Sequence, residues 1–266
     1  MVRTVRAKST LGGLHTLPRR ALMHVRLGRR LWWHGRKGNE IEFWAGWLTG
    51  APGTEQWAAD RVERLNPETE IRDPVVRTEL QRLPEEQVSI LDVGAGPLTW
   101  LGYRYPGKML TIVPVDPLAD DYDRLLREAR VEPPVRTIGV AGEALLDHFA
   151  LASFDIAYAT NALDHSADPL TIISNMVAVV RPGGAVILRH KRNEGASARY
   201  SGLHAWNFDA LDGRLILWNE ATSVDVDTAL ASRATTTAWL EENEVVAKLR
   251  VSEGVAPATP DERAEA

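Results

Sequence analysis

Three histidines, His165, His190 and His204, stand close in the chain to Asp164, Asn193 and Glu194. An unperturbed imidazole titrates near neutrality, so each of the three can serve as a general base for a group that must lose a proton. His190 and His165 are the first choices and His204 the third. Asp164, Asn193 and Glu194 offer oxygen ligands of the kind Mg²⁺ takes, which would make the proton removal metal-assisted. The metal-free base is preferred. Upstream lies a different set: Asp92, Gly94 and Gly96 in the stretch Val88-Ser89-Ile90-Leu91-Asp92-Val93-Gly94-Ala95-Gly96. Glycines at such a turn let a ligand approach the backbone closely. A carboxylate two residues earlier can meet a cationic or hydroxyl-bearing group there.

These side chains need a scaffold that gathers them. Val88, Ile90, Leu91 and Val93 form the apolar run of a central parallel strand. Further strands are predicted over 110–115, 135–141, 154–160 and 185–189. Helices are predicted between them over 119–130, from Glu143, and over 168–180, where Asp168 caps and Pro169 takes the first turn. Arg181-Pro182-Gly183-Gly184 ends that last helix. The alternation argues for a doubly wound, mostly parallel, Rossmann-like α/β sheet with an N-terminal helical cap. Helices over 18–37, 40–48 and 73–83 would supply the cap and its approach. Arg214–Trp218 and Val245–Val251 read as an antiparallel pair closing the sheet edge. In such a fold the ligand lies beyond the carboxyl ends of the strands. An acid about twenty residues after the glycines, here Asp116, can accept both hydroxyls of a ribose.

The order of these motifs resembles the class I S-adenosylmethionine (SAM)-dependent methyltransferases, over about residues 86–190. The glycine stretch is similar to their first motif. Ala141-Gly142-Glu143-Ala144-Leu145 looks like their small-residue turn beside the adenine. Phe154-Asp155-Ile156-Ala157-Tyr158-Ala159-Thr160-Asn161-Ala162-Leu163-Asp164-His165 is similar to the fourth-strand segment of the type 11 group. The resemblance implies SAM as cofactor, held by Asp92, Gly94, Gly96, Asp116, Gly142, Glu143 and Asn161, and backbone N–H groups near Gly94 and Gly96 taking its carboxylate. It departs from the family at Pro97-Leu98, where a third glycine usually stands. Two other readings follow from that departure. One is a nicotinamide-dependent oxidoreductase, whose fingerprint wants a small residue where Thr99 stands. The other is a non-catalytic module in which Pro97-Leu98 fills the cofactor's space. The expected acceptor is a hydroxylated small molecule, a sugar or a glycan intermediate, methylated on oxygen.

The chain of 266 residues is 44% hydrophobic and has no cysteine, which excludes disulfides, thiol catalysis and cysteine-bound zinc. No apolar run approaches the roughly 20 residues that span a bilayer, and a cytoplasmic home is expected. Residues 1–38 carry ten Lys and Arg and no acid, although the net charge of the chain is −5. They read as a basic arm able to touch an anionic surface weakly. Nucleic acid is not expected as a partner. Residues 39–254 would form the catalytic domain, with the cap at 39–85, and 255–266 a flexible tail. Nine tryptophans, among them Trp32, Trp33, Trp44, Trp47 and Trp57, can pack a helical cap or wall a ring-binding pocket.

Overall fold

A computed structural model describes residues 37–253. The predicted helix over 18–37, nearly all of the basic arm, Trp32, Trp33 and the tail lie outside the described residues. The chain starts with helices α1 (Lys37–Thr49), α2 (Ala58–Leu65) and α3 (Pro74–Arg82), then strands β1 (Gln87–Val93) and β2 (Met109–Val115). Helix α4 (Ala119–Ala129) and the short α5 (Leu145–His148) precede β3 (Phe154–Thr160), α6 (Pro169–Val179) and β4 (Val180–Lys191). After the one-turn α7 (Glu194–Ser197) come β5 (Asn207–Leu211), β6 (Arg214–Trp218), β7 (Ser223–Asp225), α8 (Val226–Leu230), β8 (Ala234–Glu241) and β9 (Glu244–Val251).

The main sheet runs in the order β2-β1-β3-β4-β9-β8. Its first four strands are parallel, and β9 is antiparallel to both β4 and β8. The apolar run of β1 is continuous because the strand is covered on both faces. Val88 and Ile90 pack with Val76, Leu80 and Ile187 on the α3 side. Leu91 and Val93 pack with Ile172, Met176 and Leu188 on the α6 side. The first two helices form a cap: α1 was expected there and α2 was not, while α3, also expected in the cap, packs on the sheet. Trp47 and Leu48 bury against Leu118, Tyr122 and Leu125 of the α4 region.

Three expectations are corrected. The strand predicted over 135–141 is a single bridge, Val115 to Ile138. Ile138 N–H reaches Pro114 O at 2.9 Å and Asp116 N–H reaches Ile138 O at 3.0 Å. The preceding rung would need an N–H on Pro114, which has none. The following rung is lost because Val140 N–H turns back to Ile138 O at 2.9 Å. Second, Arg181 to Gly184 lies inside the span of β4 rather than before it. The register jumps from Phe154 opposite Val180 to Ile156 opposite Ala185, so the four residues bulge from the ladder. Third, Val245–Val251 does not pair with Arg214–Trp218. It pairs with β4 and β8, whereas Arg214–Trp218 joins β5 and β7 in a separate three-stranded sheet. Phe208, Leu215 and Leu217 of that sheet pack with Ala238, Val245 and Leu249, completing the core over the antiparallel half. Among the described residues no helix is long and apolar enough to cross a membrane.

Asp73, fully buried, joins the layers. Its Oδ1 accepts the N–H of Val75 and Val76 and caps α3, while its Oδ2 accepts Arg189 Nε at 2.9 Å from β4. Glu241 and Glu244 hold the other end of Arg189. Asp73→Ala removes a cap and half of a buried ion pair together. Urea unfolding is expected to show a loss of about 3–5 kcal/mol; a loss below about 1 kcal/mol would contradict this role.

Candidate functional site

A cleft of about 1440 Å³ opens beyond the carboxyl ends of β1 to β4, under the α1–α2 cap. The glycine turn forms its floor. Gly94, at φ +74°, is a close approach: an added Cβ would stand 2.3 Å from Ala162 Cβ in the turn after β3. Gly96, at φ +67°, passes under Trp44, with 2.9 Å from a would-be Cβ to Cζ2. The expected free N–H groups are not there. Gly94 and Ala95 donate to Val115 O at 2.8 and 3.2 Å, and Gly96 donates to Asp116 Oδ2 at 3.2 Å. Leu98 does not fill the cleft. It is fully buried behind the turn, against Trp47, Leu118 and Tyr122.

Two buried carboxylates line this end. Burial lifts Asp92 to about 6, against the pull of Thr99 and Arg64. Thr99 Oγ1 donates to Asp92 Oδ2 at 2.5 Å. Burial lifts Asp116 to about 7, although it accepts N–H bonds from Leu118 and Gly96. Arg64, which sequence reasoning missed, lines the cleft, donates to Leu98 O at 3.1 Å and pairs with Asp60 at 2.9 Å. Its guanidinium lies 5.6 Å from the Trp44 ring centre. No local pattern marks it, because its partners come from the cap and the glycine loop.

The next wall is the turn at Gly142 and Glu143. A Cβ on Gly142 would meet Ile172 Cγ2 at 2.7 Å. Asn175 of α6, also missed, donates to Gly142 O and Glu143 O at 3.2 and 3.0 Å and fixes the turn. Burial raises the Glu143 carboxyl, against nearby backbone donors. Asn161, at φ +45°, lines the cleft and accepts Lys191 N–H at 2.8 Å. It ties the ends of β3 and β4 together.

Opposite stands a cluster of Asp164, His165 and His204. Asp164 and His165 lie in a short 3₁₀ turn after β3. His204 comes from a loop that is pinned to this turn, since Ala205 and Trp206 both donate N–H to Asp164 O. His204 Nδ1 is 2.7 Å from Asp164 Oδ2, and His165 Nε2 is 3.0 Å from His204 Nδ1. Burial works against the charge of Asp164, but His165 and His204 outweigh it and hold the carboxyl at about 2. The bond from Asp164 raises His204 above its ordinary value, against burial. An ionised carboxylate on Nδ1 sets the tautomer and leaves Nε2 as the basic nitrogen.

His190 is elsewhere. Side chains alternate along a strand; Arg189 and Lys191 line the cleft, and His190 does not. It is buried and stacked on Phe208, with ring centres 4.1 Å apart, and neither ring nitrogen has a hydrogen-bond partner. The expectation that it faces the crevice is corrected. Burial pushes its pKa down to about 4, against the pull of Asp164. A folded-state pKa below the unfolded one stabilises the protein above pH ~6.5, and that stability is lost as pH falls toward ~4. His190→Leu is therefore expected to flatten this acid limb, whose slope reaches about 1.4 kcal/mol per pH unit. Unfolding curves between pH 4 and 7 would check it; an unchanged limb would contradict it.

The oxygen-ligand set is also separated. Asn193 does not line the cleft; its Oδ1 accepts Trp218 Nε1 at 3.0 Å. Glu194 does line it. Of the tryptophans, Trp44, Trp57 and Trp100 line the cleft half-buried, and Trp47 lines it from the core.

Residues 91–188, over a third of the chain, match the family model described as "Methyltransferase domain". No curated protein matches the sequence. Among solved structures, the chain is similar to the CurJ carbon methyltransferase at 14% identity and a TM-score of 0.49, covering 79% of this chain and 61% of that one. It is similar to the Burkholderia thailandensis 1,6-didemethyltoxoflavin-N1-methyltransferase at 16% identity and a TM-score of 0.42, covering 83% and 90%. The T. thermophilus 16S rRNA N2 G1207 methyltransferase follows at 15% and 0.36, covering 71% and 42%. The chain thus spans less than two thirds of the first two structures found, the rRNA and CurJ enzymes.

Proposed function

We propose that the chain, whose residues 91–188 match a methyltransferase domain, is a class I SAM-dependent enzyme that methylates a hydroxyl of a small neutral or cationic acceptor, with His204 as general base. The observation that carries this reading is the 2.7 Å contact of His204 Nδ1 with the ionised, buried Asp164, in the cleft that Asp92 and Asp116 also line.

The residues present fit the cofactor. Gly142 has no room for a side chain, and buried Asp92 and Asp116 call for a cation or hydroxyl donors. When bound, SAM supplies an electrophilic methyl on a sulfonium cation. Asp116 would take the ribose hydroxyls, Gly142 and Glu143 the adenine side, and Asp92 the amino end. With the Gly94 and Gly96 N–H groups already committed, Arg64 is the cation for the carboxylate. His204 Nε2 removes the acceptor proton, and Asp164 stabilises the imidazolium that forms. The cap excludes water from this exchange with Trp44 and Trp57.

Charge supports the acceptor class. Eleven Asp and Glu side chains line the cleft against three Lys and Arg side chains, Arg64, Arg189 and Lys191, all of them already paired with acids. Such a field opposes phosphorylated or polyanionic acceptors, nucleic acid included. The oxidoreductase reading loses ground because a dinucleotide fold uses two parallel halves, whereas this sheet turns antiparallel after β4.

The raised carboxyls provide a test. Burial raises Asp92 and Asp116 to about 6 and about 7 in the free protein, and their charged forms are the stronger acceptors for the amino end and the ribose hydroxyls. SAM affinity is therefore expected to rise between pH 5.5 and 8. S-adenosylhomocysteine, which shares the ribose and the amino end, should show a similar rise. Calorimetric titrations of both ligands would check this; affinities that stay flat across that range would contradict it.

A further inference from the structure

We infer that Asp164, His165 and His204 form a three-ligand site for a divalent transition-metal ion of the zinc class, open to the cleft. Three atoms converge. Asp164 Oδ2 lies 2.7 Å from His204 Nδ1 and 3.4 Å from His165 Nε2, and the two nitrogens are 3.0 Å apart. A tetrahedral ion with bonds of about 2.0–2.1 Å separates its ligands by about 3.3 Å, so the triangle is close to the required size.

Hydrogen bonding alone serves this triangle poorly. If His204 Nδ1–H donates to Asp164, His165 Nε2 has two choices. It can crowd a second N–H onto the same oxygen, or turn a lone pair toward a proton already committed. One ion at the centre gives all three lone pairs a common partner. Glu40 stands outside the triangle, with Oε2 3.7 Å from His165 Nδ1. At that distance it is an ion-pair contact, just short of the hydrogen bond that a carboxylate commonly makes to the far nitrogen of a ligating imidazole.

The donor set chooses the metal. Two imidazoles and one carboxylate suit zinc, cobalt or nickel, whereas Mg²⁺ and Ca²⁺ prefer oxygen alone. All three side chains line the cleft, which leaves a coordination position facing it. An ion on Nδ1 of His204 places the ring proton on Nε2. The ion and the general base are therefore alternative states of one cluster, and the ion's binding does not depend on the cofactor.

The test is calorimetry of the chelator-treated full chain with Zn²⁺, with Co²⁺ absorption as a second readout. One ion per chain is expected, with a d–d spectrum of low coordination number and no comparable binding of Mg²⁺. His165→Ala and His204→Ala should each weaken Zn²⁺ at least about tenfold, and His190→Leu should not. Circular dichroism would verify that each variant is folded. No Zn²⁺ binding, or equal binding by folded His165→Ala and His204→Ala, would overturn the site. S-adenosylhomocysteine binding in the same samples separates the two ideas: if it persists without Zn²⁺ binding, only the metal site fails.

Discussion

His204→Ala, measured in chelator-treated protein with a turned-over acceptor, is expected to lose about 10²–10⁴ in turnover while keeping its SAM affinity. Asp164→Asn should fall by a similar factor. It retains the shape but removes the charge that fixes the Nδ1–H tautomer and steadies the imidazolium. Only neutral imidazole accepts a proton, and Asp164 holds His204 above its ordinary pKa of 6.5. Wild-type turnover should therefore climb with pH through a value above 6.5, and His204→Ala should lack that limb. His165→Ala should cost less, because its ring reaches the acceptor's proton only through His204, 3.0 Å away. Full turnover in folded His204→Ala would remove it as the base.

The second large effect is expected at Gly94. Gly94→Ala demands a left-handed backbone from a residue with a Cβ, and sets that Cβ 2.3 Å from Ala162 Cβ. The left-handed region alone costs about 1–2 kcal/mol. The steric overlap adds to it by prising apart the turns after β1 and β3. Asp92 lies at the strand end before the first turn and Asn161 in the second, so the cleft deforms with them. Stability should fall by more than about 2 kcal/mol, and SAM affinity by at least about tenfold. Adding Ala162→Gly should recover part of both losses, because it removes the overlap and leaves the strain. If the double variant is no better than the single one, the two turns do not meet there.

Much of the parallel half was legible in the sequence. The run from Val88 to Val93 could only be a strand covered on both faces, and β1 is that. Asp73-Pro74 and Asp168-Pro169 announced their helices through cap and first turn, and both caps are made. What the sequence hid lies in pairings. Pro114 ends a ladder on its neighbour rather than on its own strand, so 135–141 read as a strand and is a bridge. β9 carries its apolar residues whichever partner it takes, and alternation does not reveal that β4 and β8 flank it.

The site divides the same way. All seven residues expected at the cofactor end line one cleft, because each sits at a strand end, in the turn that follows, or, for Gly142 and Glu143, in the turn after the Ile138 bridge. The base did not follow that rule. His190 stands at the end of β4, but strand alternation turns it away from Arg189 and Lys191 and into the core. His204, the third choice, reaches Asp164 only through two backbone bonds from Ala205 and Trp206. Those bonds span about forty residues of chain, and no local spacing foretells them.

The most direct measurement is calorimetric titration of the full chain with SAM and with S-adenosylhomocysteine, repeated on Asp116→Ala and Gly142→Val. One saturable site is expected for each ligand in the wild type. Asp116→Ala should weaken both by at least about tenfold, through the ribose they share. Gly142→Val should abolish binding, since even a Cβ there meets Ile172 at 2.7 Å. No binding of either ligand by folded wild-type protein, or binding that neither substitution alters, would contradict a methyltransferase site in this cleft.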